Sequence, residues 1–78
     1  MELNKLAKII NERLVSNAKE ARRAHEEDRS DAEEYYGGKA SEDLYILGTL
    51  THNIYTYERI ALSNFISNGG EYHGIDRH

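Results

Sequence analysis

Apolar residues return every three or four positions along the first part of the chain: Leu3, Leu6, Ile10, Leu14, Ala18, Ala21, and then His25. That spacing keeps one face of a helix apolar and predicts an amphipathic helix from about residue 2. The stripe is leucine and isoleucine at its start and alanine from Ala18, where small side chains admit a close neighbour. The stretch 44–66 is denser. Leu44, Leu47, Thr51, Ile54, Ala61 and Phe65 form one helical stripe, and Ile46, Leu50, Tyr57 and Ile60 form a second beside it. No proline interrupts either pattern. A helix with a single neighbour needs only one apolar stripe, so the second one predicts additional neighbours.

Punctuation sets the expected boundaries. Between Arg22 and Glu34 the first helix turns almost wholly polar. Two readings compete there: one helix running through, or a break near Asp28 and a restart at Ser30. The second has some support, because Ser30-Asp31-Ala32-Glu33 matches a capping box. Nothing between Glu26 and Ser30 is a strong breaker, so the expectation is a continuous helix over about 2–36, ~50 Å long at 1.5 Å per residue. Gly37-Gly38 is expected to end it, since glycine accepts the left-handed conformation after a helix. Ser41 then caps a second helix over about 41–67, with Glu42 and Asp43 favourably placed in its first turn. Asn68-Gly69-Gly70 stops it, and 71–78 reads as a flexible tail. A short connection makes the two helices antiparallel neighbours.

Size changes what this hairpin must do. A chain of 78 residues buries only ~60% of the surface its unfolded form exposes. It has no cysteine, which removes disulfides, thiolate metal sites and cysteine nucleophiles together. Association with further copies is the remaining remedy. Glu58 and Arg59 interrupt the most apolar run, so no bilayer-crossing segment is expected, and the N-terminus lacks a signal-peptide core. The expected location is cytoplasmic. The net charge of −4 is unevenly spread: 1–25 is basic and 26–43 strongly acidic.

Each candidate chemistry has a plainer competitor. His25, His52, His73 and His78 fit no metal-ligand spacing, and Glu71 and Asp76 add only a loose tail cluster; no metal and no cofactor is expected. There is no nucleophile elbow, P-loop or dinucleotide turn, and an enzyme is not expected. Lys8, Lys19, Arg22 and Arg23 form a candidate anion or nucleotide site on the first helix, against an ordinary charged outer face. Glu26, Glu27, Asp28, Asp31, Glu33 and Glu34 form a candidate acidic surface that would mimic nucleic acid, against a solvated helix end. Direct DNA binding is disfavoured by overall acidity. The 6 tyrosines are the most unusual feature; Tyr35, Tyr36, Tyr45, Tyr55 and Tyr57 gather at the turn and second helix, where such rings suit an interface. The expected oligomer or partner interface is Leu44, Leu47, Leu50, Ile54, Tyr55, Tyr57, Ala61 and Phe65.

The run Gly48-Thr49-Leu50-Thr51-His52-Asn53-Ile54 through Ala61, on a polar helix–turn–apolar helix layout, resembles a family of small phage-encoded helical-hairpin proteins. Members of that family oligomerise and sequester cyclic-nucleotide immune signals. The resemblance covers about a third of the chain and contains no distinctive polar motif, so no binding residue is carried over. It implies a phage inhibitor of host defence, acting in the host cytoplasm. The expectation is thus an all-α antiparallel hairpin over 1–70 that homo-oligomerises into a helical bundle. Its expected work is non-enzymatic: binding another protein as an inhibitor or regulator. The alternatives are an oligomeric sponge for a nucleotide signal and an acidic nucleic-acid mimic.

Overall fold

The computed structural model describes residues 3–75, and they form three helices: α1 (Leu3–Glu26), α2 (Ser30–Thr51) and α3 (Thr56–Asn68). The all-helical expectation holds; the two-helix hairpin does not, because both long helices are broken.

The first break lies at 27–29. Asp28 takes a left-handed φ of 55°, the Asp28 amide donates to the His25 carbonyl at 3.3 Å, and the Arg29 amide donates to the Ala24 carbonyl at 2.8 Å. These two bonds complete a Schellman motif with aspartate in the position that glycine usually holds. The expected continuity through 26–30 is therefore corrected: α2 starts at Ser30, and the N-cap position falls to Arg29, whose side chain makes no cap bond, rather than to the serine of the capping box.

The second break, at 52–55, repeats the device. His52 has φ 54°, and the Asn53 amide donates to the Gly48 carbonyl at 2.9 Å. Gly48 is needed there, since a Cβ would sit 2.7 Å from the Asn53 carbonyl oxygen. Thr51 Oγ1 donates to the Leu47 carbonyl at 2.8 Å and lies 2.8 Å from the Tyr55 hydroxyl, which ties the break to the core. The expected helix over 41–67 is thus two. By contrast Gly37 and Gly38, expected to end a helix, lie inside α2.

Folding back at Asp28 makes α1 and α2 antiparallel partners of nearly equal length. Ile10, Leu14, Ala18, Ala21 and Ala24 are buried on α1, and Ala40, Asp43, Leu44 and Leu47 on α2. The alanine end of the α1 stripe is where the helices approach near the turn. Helix α3 returns beside α1, burying Leu62 and Phe65, and touches α2 much less. Arg22 Nη1 donates to the Ile66 carbonyl at 3.0 Å, so an α1 cation caps the C-terminus of α3.

Residues 71–75 are not a free tail; the rest of that expected tail, 76–78, lies outside the described residues. Tyr72 is buried and stacks on Phe65 with ring centres 5.3 Å apart. Asn11 holds the segment from α1: its Oδ1 accepts from the Ile75 amide at 2.6 Å and its Nδ2 donates to the His73 carbonyl at 3.2 Å. Gly74, at φ +68°, passes so close that a Cβ would collide with Asn11 Oδ1. The strap thus closes the bottom of the core.

The Tyr72 hydroxyl is buried without a hydrogen-bond partner among the described residues. Burial, reinforced by the negative charge of Glu58, pushes its pKa from 10.0 up to about 12. A phenol whose folded pKa is raised supports the fold fully below pH 10.0, and this support drains away as pH climbs towards about 12. Tyr72→Phe removes both the unpaired hydroxyl and this titration. It is expected to raise stability by about 1 kcal/mol at neutral pH and to flatten the alkaline decline, as read from urea unfolding between neutral pH and pH 11. A less stable Tyr72→Phe would show that the hydroxyl has a partner.

Candidate protein-docking surface

Because α3 leans on α1, the side between α2 and α3 is open. Three depressions of about 460, 450 and 570 Å³ run along it, and Ser41 and Arg59 border all three. The floor is narrow in side chain: Gly37, Gly38 and Ser41 from α2 face Ser63 from α3. The largest of these three lies at the α2–α3 corner, walled by Leu44, Tyr45, Gly48, Ile54 and Tyr55.

Large apolar side chains stand out around this corner. Ile54 is 86% exposed, Tyr57 83% and Tyr45 77%, with Ile60 also exposed on α3. The reason is the break at His52. It resets helical phase, so the stripe that carries Leu44 and Leu47 inward turns Ile54 and Ala61 outward, while α3 buries Leu62 and Phe65 on a phase of its own. The expected interface therefore divides. Leu44, Leu47, Tyr55 and Phe65 belong to the chain's own core, and Leu50 packs half-buried against it. Ile54, Tyr57 and Ala61 are exposed. Tyr45, Ile60 and Arg59 join the surface although the interface expectation omitted them; the second apolar stripe was the signal for Ile60 and the tyrosine cluster that for Tyr45, while Arg59 had none.

The candidate anion site does not come together. Arg22 is engaged by the Ile66 carbonyl, with its Nε 3.5 Å from Glu26. Arg23 lies 3.8 Å from Glu20. Lys8 and Lys19 are exposed but ~16 Å apart along α1, with Lys8 at the depression beside Tyr55 and Ile75.

The acidic residues do gather, at the α1–α2 reversal. Glu26, Glu27, Asp28, Asp31 and Glu34 are exposed there. Two carboxylates of the run have partners: Glu33 Oε2 lies 3.0 Å from His25 Nδ1, and Arg29 Nη1 donates to Glu27 Oε1 at 3.3 Å. Asp31 and Glu33 also occupy the first turn of α2, where the helix dipole favours them. The remaining histidines are dispersed. His52 forms the second reversal, His73 lies 3.7 Å from Glu71, and Asp76 and His78 lie outside the described residues.

Fold and surface define a small three-helix unit with one open groove and an apolar corner. Among its described residues no helix is long and apolar enough to cross a membrane. Set against protein-family models, curated proteins and solved structures, the chain matches none of the three.

Proposed function

We propose that the chain is a non-enzymatic binding protein that acts as a small inhibitor or regulator by docking its α2–α3 corner on another protein. The observation that carries this reading is the exposure of Ile54 and Tyr57 at a corner with a cleft of about 570 Å³ beside it. Aromatic and aliphatic anchors around a concave site are what a binding hot spot requires, and they are costly to leave in water without a use. A nucleotide sponge built on Lys19, Arg22 and Arg23 has less support, because Arg22 is already engaged inside the fold.

The test is affinity capture with the wild-type chain and an Ile54→Ala, Tyr57→Ala variant. Both side chains are solvent-exposed, so the variant is expected to keep its thermal midpoint. A specific protein partner should bind the variant at least about tenfold more weakly, and a Lys8→Ala, Lys19→Ala variant as tightly as wild type. Equal capture by both corner-variant and wild type would remove the corner from the binding surface.

A further inference from the structure

We propose that the lower α2–α3 groove is a self-association surface, filled by α2 of a second copy across a two-fold axis at Gly38. This surface shares Ser41 and Arg59 with the corner cleft but neither Ile54 nor Tyr57; a change at Gly38 tests the groove and a change at Ile54 and Tyr57 tests the corner, so either reading can fail without the other.

The groove asks for a neighbour. Leu62 and Ile66 of α3 line it beside Gly37, Gly38 and Ser41 of α2, and Arg59 and Ile60 form its rim. Two helices that diverge over such a trough leave the place of a fourth helix open. The glycine pair fits that geometry. Glycine weakens a helix interior, and nothing inside the chain requires it here. A Cβ on Gly38 would meet nothing within 4 Å, and one on Gly37 would meet only Ile66 Cδ1 at an ordinary 3.8 Å. The contrast is Gly48, which its own turn demands. What Gly38 supplies is bare α2 backbone facing outward, with the half-buried Gly37 next to it on the side of Ile66, so a second backbone can come close.

Charge identifies the occupant as another copy. Arg59 borders the whole groove, and Glu34 stands at its lower end. Neither side chain has an ion pair or hydrogen bond among the described residues. Ser41 is the α2 residue that lines all three depressions with Arg59, so Gly38 is about one helical turn from Glu34 in one direction and about one turn from the level of Ser41 and Arg59 in the other. A two-fold axis at Gly38 therefore sets each Arg59 against Glu34 of the other copy, twice. The same axis crosses the two α2 helices where their backbones are bare. Positions of charge and of glycine are independent features, and one symmetry operation satisfies both. Such an isologous contact closes on itself and yields a dimer rather than a filament. It leaves an apolar corner at each end of the pair.

Light scattering and sedimentation equilibrium on the full chain over a concentration series test this. The expected mass is twice 9.0 kDa. A wild-type chain that stays monomeric at its highest soluble concentration overturns the proposal. Gly38→Leu has open space within one copy and suits a helix, so its thermal midpoint in dilute solution should not fall. Its dimer dissociation constant should rise at least about tenfold; a Gly38→Leu chain that pairs like wild type overturns the groove as the interface. Arg59→Glu and Glu34→Arg should each weaken pairing, and the two together in one chain should restore it. A double reversal as weak as the single ones overturns the two-fold register.

Discussion

Leu14→Ala is expected to lower the unfolding free energy by about 3 kcal/mol, within the range of core leucine truncations. Leu14 has no exposed surface. It faces the α1–α2 core and also underlies the strap, since its Cδ2 lies 3.2 Å from where a Cβ on Gly74 would be. A domain of this size has roughly 4–12 kcal/mol in all, so the loss is a large part of the whole. The core is too small to close over the cavity from another layer, which keeps the cost from relaxing away. Urea unfolding of the variant beside Ile54→Ala decides the matter. Ile54, a side chain of the same size, is already 86% exposed, and its truncation should stay within about 0.5 kcal/mol of wild type. Equal costs at the two positions would show that the core and the corner have been wrongly separated.

Arg13→Ala is expected to cost about 2 kcal/mol, although Arg13 itself is 60% exposed. The reason is its partner. Asp43 is 1% exposed, buried between α1 and α2, and it accepts from Arg13 Nη2 at 2.9 Å and from Asn17 Nδ2 at 3.0 Å. Arg13 and Asn17 are four residues apart and clamp the carboxylate from one face of α1. Without the arginine a buried charge is left with one amide, and solvent at the outer side of the arginine holds the cost to the lower end of the buried-pair range. The double variant Arg13→Ala, Asp43→Ala should cost clearly less than the two single losses added together. A cycle with no coupling would reduce the pair to a surface contact. Because Asp43 lies on the side of α2 away from Ser41, the clamp sets the rotation of α2 and hence which residues it offers to the groove.

How much of this was legible in the residues depends on which physics each feature uses. The α1 stripe of Ile10, Leu14, Ala18 and Ala21 is buried as its period requires, and Gly69, with φ 83°, ends α3 where Asn68-Gly69-Gly70 said it would. The acidic run is exposed at the α1–α2 reversal apart from the half-buried Glu33. Of the reversals, the one at Asp28 was legible only as the less favoured of two readings and the one at His52 not at all, because their usual signal is inverted: aspartate and histidine take the left-handed positions while a glycine pair stays helical. A glycine inside a helix costs only about 1 kcal/mol, and the burial of Ala40, Leu44 and Leu47 just beyond the glycine pair outweighs it.

The same division separates the surfaces. Composition and period by themselves determined that the chain is helical, that its first helix has one apolar face, and that its second half carries more apolar surface than one neighbour can cover. These are local quantities, summed over a turn or two of chain. Only the tertiary structure decided which of those apolar residues are core and which are corner, because a left-handed residue at His52 rotates everything after it. It alone turned Arg22 from a ligand-binding candidate into the cap of α3, buried Asp43 under Arg13 and Asn17, and strapped Tyr72 to Phe65. Each of those joins residues far apart in the chain, and such pairings are chosen by the packing of whole helices rather than by the residues beside them.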